Sequence, residues 1–144
     1  MLSGYIWKSG HGLVVTLGVS ALLLSAFFTQ AFAGDQDMTV LAHASSGPLQ
    51  CEIRKNEMGN SVELTGVIVS SRAVAGNFRF TITKSGPSGS SNINQGNTFD
   101  LAADKESRVG QVAINLEHEA NAVIELFVRS DDGIECLAKA PLKT

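Results

Sequence analysis

C-terminal to residue 48, apolar and polar residues alternate with a period of two. Leu49, Cys51 and Ile53 alternate with Gln50, Glu52 and Arg54. Val62, Leu64, Gly66 and Ile68 alternate with Glu63, Thr65 and Val67, and Phe78, Phe80 and Ile82 with Arg79, Thr81 and Thr83. Val112, Ile114 and Leu116 mark one face of a further segment. Ala122, Ile124, Leu126 and Val128 mark another, and Ile134, Cys136 and Ala138 the last. Alternation of this kind predicts half-buried strands of antiparallel sheets. Met58-Gly59-Asn60, Ala75-Gly76-Asn77 and Asp131-Asp132-Gly133 punctuate it, the last as a strong hairpin signal. No segment shows a capped helical period. Counting a weaker strand before Phe99, the pattern predicts an all-β fold: an immunoglobulin-like, seven-stranded antiparallel β-sandwich.

That weaker strand is the unusual one. The glycine- and serine-rich stretch Ser85–Ser91, expected to be flexible, leads into Asn92-Ile93-Asn94-Gln95-Gly96-Asn97-Thr98, with Ile93 its one aliphatic residue. A segment so polar buries little, so it is expected at a sheet edge or in a long loop. An edge carries unpaired backbone donors and acceptors and is open to strand addition by another extended chain. Arg79 and Lys84, with Arg54 and Lys55, are expected on or near the solvent side of their strands. There they serve solubility or form a cationic strip for acidic or amide-rich partners.

The N-terminus has a different pattern. Lys8 and His11 precede an apolar run from Leu13 to Phe28, and Ala31-Phe32-Ala33 follows. This is the layout of a secretory signal, with cleavage expected after Ala33. The alternative, a single membrane anchor, would have only about 16 apolar residues against the ~20 that span a bilayer. Residues 1–33 are therefore read as signal, 34–47 as a flexible lead-in without periodicity, and 48–144 as one domain. The expected product is exported to the periplasm, without stable membrane association after cleavage.

The processed chain carries 10 basic and 14 acidic residues, a net charge of −4. This offers no basic footprint for nucleic acid. Export places Cys51 and Cys136 where disulfides persist. Both fall on the apolar phase of their strands, and neither belongs to a Cys-x-x-Cys motif or a basic cluster that would activate a thiol. They are read as a structural disulfide, with redox-active thiols as the alternative. The remaining histidines, His43 and His118, lie near no Gly-x-Ser-x-Gly turn. Glu117-His118-Glu119 and Asp131-Asp132 lack the geometry of metal sites and read as turns. No catalytic residues, metal or cofactor are expected.

The run Gly86–Phe99 after the strand Phe78–Lys84, with Val62–Gly66 and Arg72–Gly76 before it, resembles the small curli assembly proteins of the CsgC/CsgH type, closer to the CsgH branch. The similarity extends over roughly Leu49 to Leu137. It implies a monomeric immunoglobulin-like domain, not an enzyme, that keeps the curli major subunit from polymerising as amyloid in the periplasm. The CsgC branch carries a Cys-x-Cys motif; here the matching positions read Cys51-Glu52-Ile53, which favours the bond to Cys136. Amyloid grows by in-register strand addition, so the client contact is expected across residues 79–97. Its candidates are Arg79, Lys84, Asn92, Asn94, Gln95 and Asn97. A structural or adhesive module of an extracellular appendage is the second reading.

Overall fold

The computed structural model describes residues 38–144; the expected signal, residues 1–33, lies outside them. Eight strands follow one another: β1 (Thr39–Ser46), β2 (Leu49–Met58), β3 (Ser61–Ser70), β4 (Val74–Gly86), β5 (Gly89–Leu101), β6 (Lys105–Asn115), β7 (Asn121–Ser130) and β8 (Glu135–Lys143). They form two four-stranded sheets, ordered β1-β2-β3-β6 and β5-β4-β7-β8, and every pairing is antiparallel. Among the described residues there is no helix. The chain is a β-sandwich.

The alternating residues meet between the sheets. Leu49, Ile53, Leu64 and Ile68 of the first sheet share a core with Phe80, Ile82, Ile124, Leu126 and Val128 of the second, all fully buried. Cys51 on β2 and Cys136 on β8 bridge the two sheets as a disulfide, with Cα atoms 6.3 Å apart. The inward phase read from the sequence brought both sulfurs to the core.

Two expectations are corrected. The described residues form eight strands rather than seven, because residues 39–46 of the supposed lead-in are β1, paired along β2. Its alternation is hidden by a register shift between Val40 and Ala42. Its inward residues, Ala42 and Ala44, are small, yet they pack against the core. The glycine- and serine-rich stretch is no flexible link either. β4 and β5 pair up to Gly86 and Gly89, leaving a two-residue turn, Pro87-Ser88. Proline at the first turn position supplies the φ the turn needs.

The other hairpins follow their turn residues. Gly59-Asn60 joins β2 to β3, with Gly59 at φ +63°, the left-handed first position of a type II′ turn. At Asp131-Asp132-Gly133 only Gly133 is left-handed, at φ +86°. The Gly133 N–H donates to the Ser130 carbonyl at 2.9 Å and the Ser130 N–H to the Ile134 carbonyl at 2.9 Å. This is a three-residue hairpin loop in which the glycine follows a turn.

The outer face of the first sheet is held by a charge clamp. Arg54 on β2 donates to both carboxylate oxygens of Glu106 on β6, each at 2.8 Å, and to Glu52 at 2.9 Å. To do so it reaches across β3, where Thr65 and Val67 lie buried although they point away from the core. The guanidinium stem shields them, as long basic side chains commonly do.

Candidate functional site

β5 is the last strand of its sheet, bonded to β4 alone among the described residues. In an antiparallel ladder, residues that bond to the neighbour alternate with residues whose N–H and C=O point away. The Thr98 N–H points away, because it donates to the Asn97 Oδ1 at 2.8 Å instead of to β4. The register of β4 with β5 has no break. The backbone groups of Asn92, Asn94 and Gly96 therefore also face the free edge, and their side-chain positions share the outer face with Arg79. This outcome matches the polar composition, since an edge has little to bury.

The sequence-derived candidates divide into two groups. Arg79, Asn92 and Asn94 lie on the outer face and are exposed. Arg79 sits between Gly96 on β5 and Phe127 on β7, and among the described residues it has no ion pair. Two other cations of that face are engaged: Arg129 pairs with Glu135 at 3.7 Å and Lys139 with Glu125 at 2.7 Å; Lys143, at the far end of β8, shares the face without an ion pair among the described residues. Asn94 lies beside Thr81, whose hydroxyl approaches its Oδ1 at 3.5 Å.

Lys84, Gln95 and Asn97 lie on the inward phase. Lys84 continues the row of Phe80 and Ile82 at the end of β4 and pairs with Glu117 at 3.5 Å, its side chain 16% exposed. Arg79 and Lys84 thus do not form one cationic strip; five residues along a strand place them on opposite faces. Arg54 belongs to the clamp with Glu106, so it does not extend a strip either. Asn97 is spent on Thr98. Gln95 reaches across the gap between the sheets. Its Nε2 donates to the Gln111 carbonyl at 3.1 Å, and its Oε1 accepts from the Gln111 N–H at 3.2 Å.

Glu117 is the residue that sequence reasoning assigned only to a turn. It does lie in the loop between β6 and β7, but it also anchors the tip of the β4–β5 hairpin. Ser88 donates to its Oε1 at 2.5 Å. That hydrogen bond, followed by the charge of Lys84, holds its carboxyl below the usual carboxylate range. The packing beside it is close: a Cβ on Gly86 would stand 2.9 Å from the same oxygen. An open cleft of about 580 Å³ adjoins this loop, lined in part by Glu57, Asn60, Asn115 and Glu117. Both carboxylates are already engaged, Glu57 by Lys55 at 2.5 Å and Glu117 by Ser88. Neither is poised as a free acid or base.

The CsgH protein family model matches residues 50–136. This chain belongs to the CsgH family. The matched span begins in β2, ends at Cys136 and contains the whole β4–β5 hairpin. R. palustris CsgH, solved in solution, is 27% identical and superposes with a TM-score of 0.53, over 66% of this chain and 91% of that one. The E. coli curli protein CsgC is 15% identical with a TM-score of 0.58, over 66% of this chain and 97% of that one. The second likeness speaks for the fold. None of the curated proteins matches the sequence. The CsgH resemblance read from the hairpin residues is therefore borne out at the level of the family.

Proposed function

We propose that this CsgH-family chain is a curli-related chaperone of the periplasm, which keeps the curli major subunit from premature amyloid polymerisation. The observation that carries the reading is the open edge of β5 at Asn92–Gly96 beside Arg79, which has no ion pair among the described residues, within a family whose structural neighbour is named as a curli protein. Amyloid elongates through the backbone of an exposed strand. An edge that pairs with such a strand takes its donors and acceptors out of growth. The folded sandwich behind the edge offers no further strand in register, so growth stops there. Arg79 adds attraction for a carboxylate on the client and raises the encounter rate.

The disulfide suits an exported protein, because such bonds persist in oxidising compartments. Cleavage after Ala33 and a monomeric state belong to the same reading. No step of it calls for bond-making chemistry.

The test uses residues 34–144 with the disulfide formed, added well below equimolar to freshly desalted curli major subunit. Fibre growth is followed with an amyloid dye, and an unrelated β-sandwich serves as control. The expected result is a lengthened lag specific to this protein. Growth identical to the control overturns the reading and leaves the structural or adhesive one.

A further inference from the structure

The sandwich has two long sides where its sheets end. On one side β1 and β8 lie together, and the Cys51–Cys136 bond staples the sheets nearby. On the other side β5 and β6 end their sheets, and the two-point bond from Gln95 to Gln111 joins them.

This bond has the form of a strand pairing. A carboxamide carries one acceptor and a donor group on the same plane. It engages both the N–H and the C=O of a single residue, as a neighbouring strand would. The Gln111 groups therefore point away from β3. By the same alternation those of Ala113 and Asn115 point away too, since the register with β3 is unbroken from Ser61 to Gly66. Beyond Gly110 the ladder shifts register between Gly66 and Val67, which leaves Val109 as a bulge before pairing resumes from Arg108 to Lys105. The bulge breaks the free edge of β6 in two; its unbroken stretch after the bulge is Gln111–Asn115, and Gln95 occupies the first position of that stretch. Natural sheets protect such edges because open ones pair with other chains.

We propose that Gln95 is an edge guard, which keeps β6 from pairing with β6 of a second copy of this chain. Two antiparallel β6 strands would form a two-fold symmetric contact, each strand meeting its own equivalent. With the amide in place the stretch after the bulge keeps two outward-facing residues, Ala113 and Asn115. Without it the stretch gains a third, and the Gln111 donor and acceptor stand unpaired. Gln95 suits the task by reach. Asn97, two residues on and of the same phase, is one methylene shorter and bonds to its own strand instead. The inference is independent of what the β5 edge binds.

The test compares the wild-type chain, residues 34–144, with Gln95→Ala, Gln95→Met and the double variant Gln95→Ala/Ala113→Pro. Met preserves the length of Gln95 without its amide, and proline removes an outward-facing N–H where an edge tolerates its loss. Hydrogen exchange at the Gln111 amide and sedimentation at rising concentration are read together. The expected result for Gln95→Ala and Gln95→Met is Gln111 exchange about tenfold faster and a dimer that grows with concentration. The double variant returns to monomer. Folded single variants that stay monomeric overturn the proposal, whatever the exchange rate, because the amide then only links the sheets. A dimer that persists with Ala113→Pro also overturns it, because association then runs through another surface. If Gln95→Ala does not fold, Gln95→Met decides.

Discussion

Phe80 of the second sheet packs directly over Gly110 of the first. A Cβ built on Gly110 would stand 2.7 Å from the Phe80 Cδ1 and 3.0 Å from its Cβ. Gly110 pairs across the ladder with Gly66, where an added Cβ would meet Leu126 at 3.3 Å and Phe80 at 3.4 Å. The two glycines form a trough in one sheet, and the aromatic ring of the other fills it. Neither glycine has a positive φ, so space rather than backbone conformation demands them.

The two positions should respond differently to the same change. Gly110→Ala forces the buried ring to move and should cost about 1–3 kcal/mol, as overpacked cores do. At Gly66 the nearest atom is the end of a leucine side chain. The loss there is offset by the reduced freedom of the unfolded chain, which stabilises by about 0.4–1 kcal/mol. Gly66→Ala should therefore be close to neutral. Urea unfolding of the two variants checks this, and equal destabilisation would remove the distinction.

The trough was only half legible in the sequence. Gly66 fell on the apolar phase of an alternating run, which placed it inward without saying what it faced. Gly110 lies beside the bulge at Val109, where the period breaks, and the neighbouring alternation starts only at Val112. β1 escaped notice for the same reason, since its own register shift masks the period. Long alternation marked the central strands and the inward cysteines plainly, because burial on one face leaves a direct trace in residue type. Partners across the sheets leave no such trace. Nothing in the spacing of Gln95 and Gln111, or of Ser88 and Glu117, announced that they meet. The splitting of Arg79 from Lys84 could have been read from their odd separation along one strand.

The disulfide closes a long loop, 85 residues apart in sequence. Replacing both cysteines, Cys51→Ala with Cys136→Ala, should lower stability by about 2–5 kcal/mol. A domain of this size then loses roughly 10–25 °C in Tm. Melting curves with and without reductant check it. The wild-type chain should fall to the level of the variant when reduced, and the variant should not respond.

The clamp on the first sheet makes stability depend on acid. Hydrogen bonds from Arg54 hold the Glu106 carboxyl below the ordinary carboxylate range. Its pKa is lower folded than unfolded, so its contribution is complete above the unfolded value, about 4.3, and is lost as pH falls through the lower folded value. The Glu106 side chain is 42% exposed, and solvent screening limits the contribution to about 1 kcal/mol or less. Glu106→Gln should be less stable than wild type at pH 7, with the gap closing at pH 3. Denaturant midpoints at the two values test the sign. A gap that widened toward pH 3 would reverse the assignment.

Arg79 and Lys84 should separate in a fibre-growth assay. Arg79 has no acidic partner among the described residues and stands beside the open edge of β5, so Arg79→Gln should leave stability unchanged. A client carboxylate would lose its attraction, and the inhibited lag should shorten most at low salt, because screening already weakens the attraction at high salt. Lys84 is turned to Glu117 at the base of the hairpin tip. Lys84→Gln should loosen Ser88 and its neighbours, read as faster amide exchange there, with a smaller effect on the lag. The opposite ranking, with Lys84→Gln abolishing inhibition while Arg79→Gln leaves it intact, would move the client contact from the outer face to the hairpin tip. Equal loss from both would restore a common cationic surface, despite the opposite phase of the two side chains.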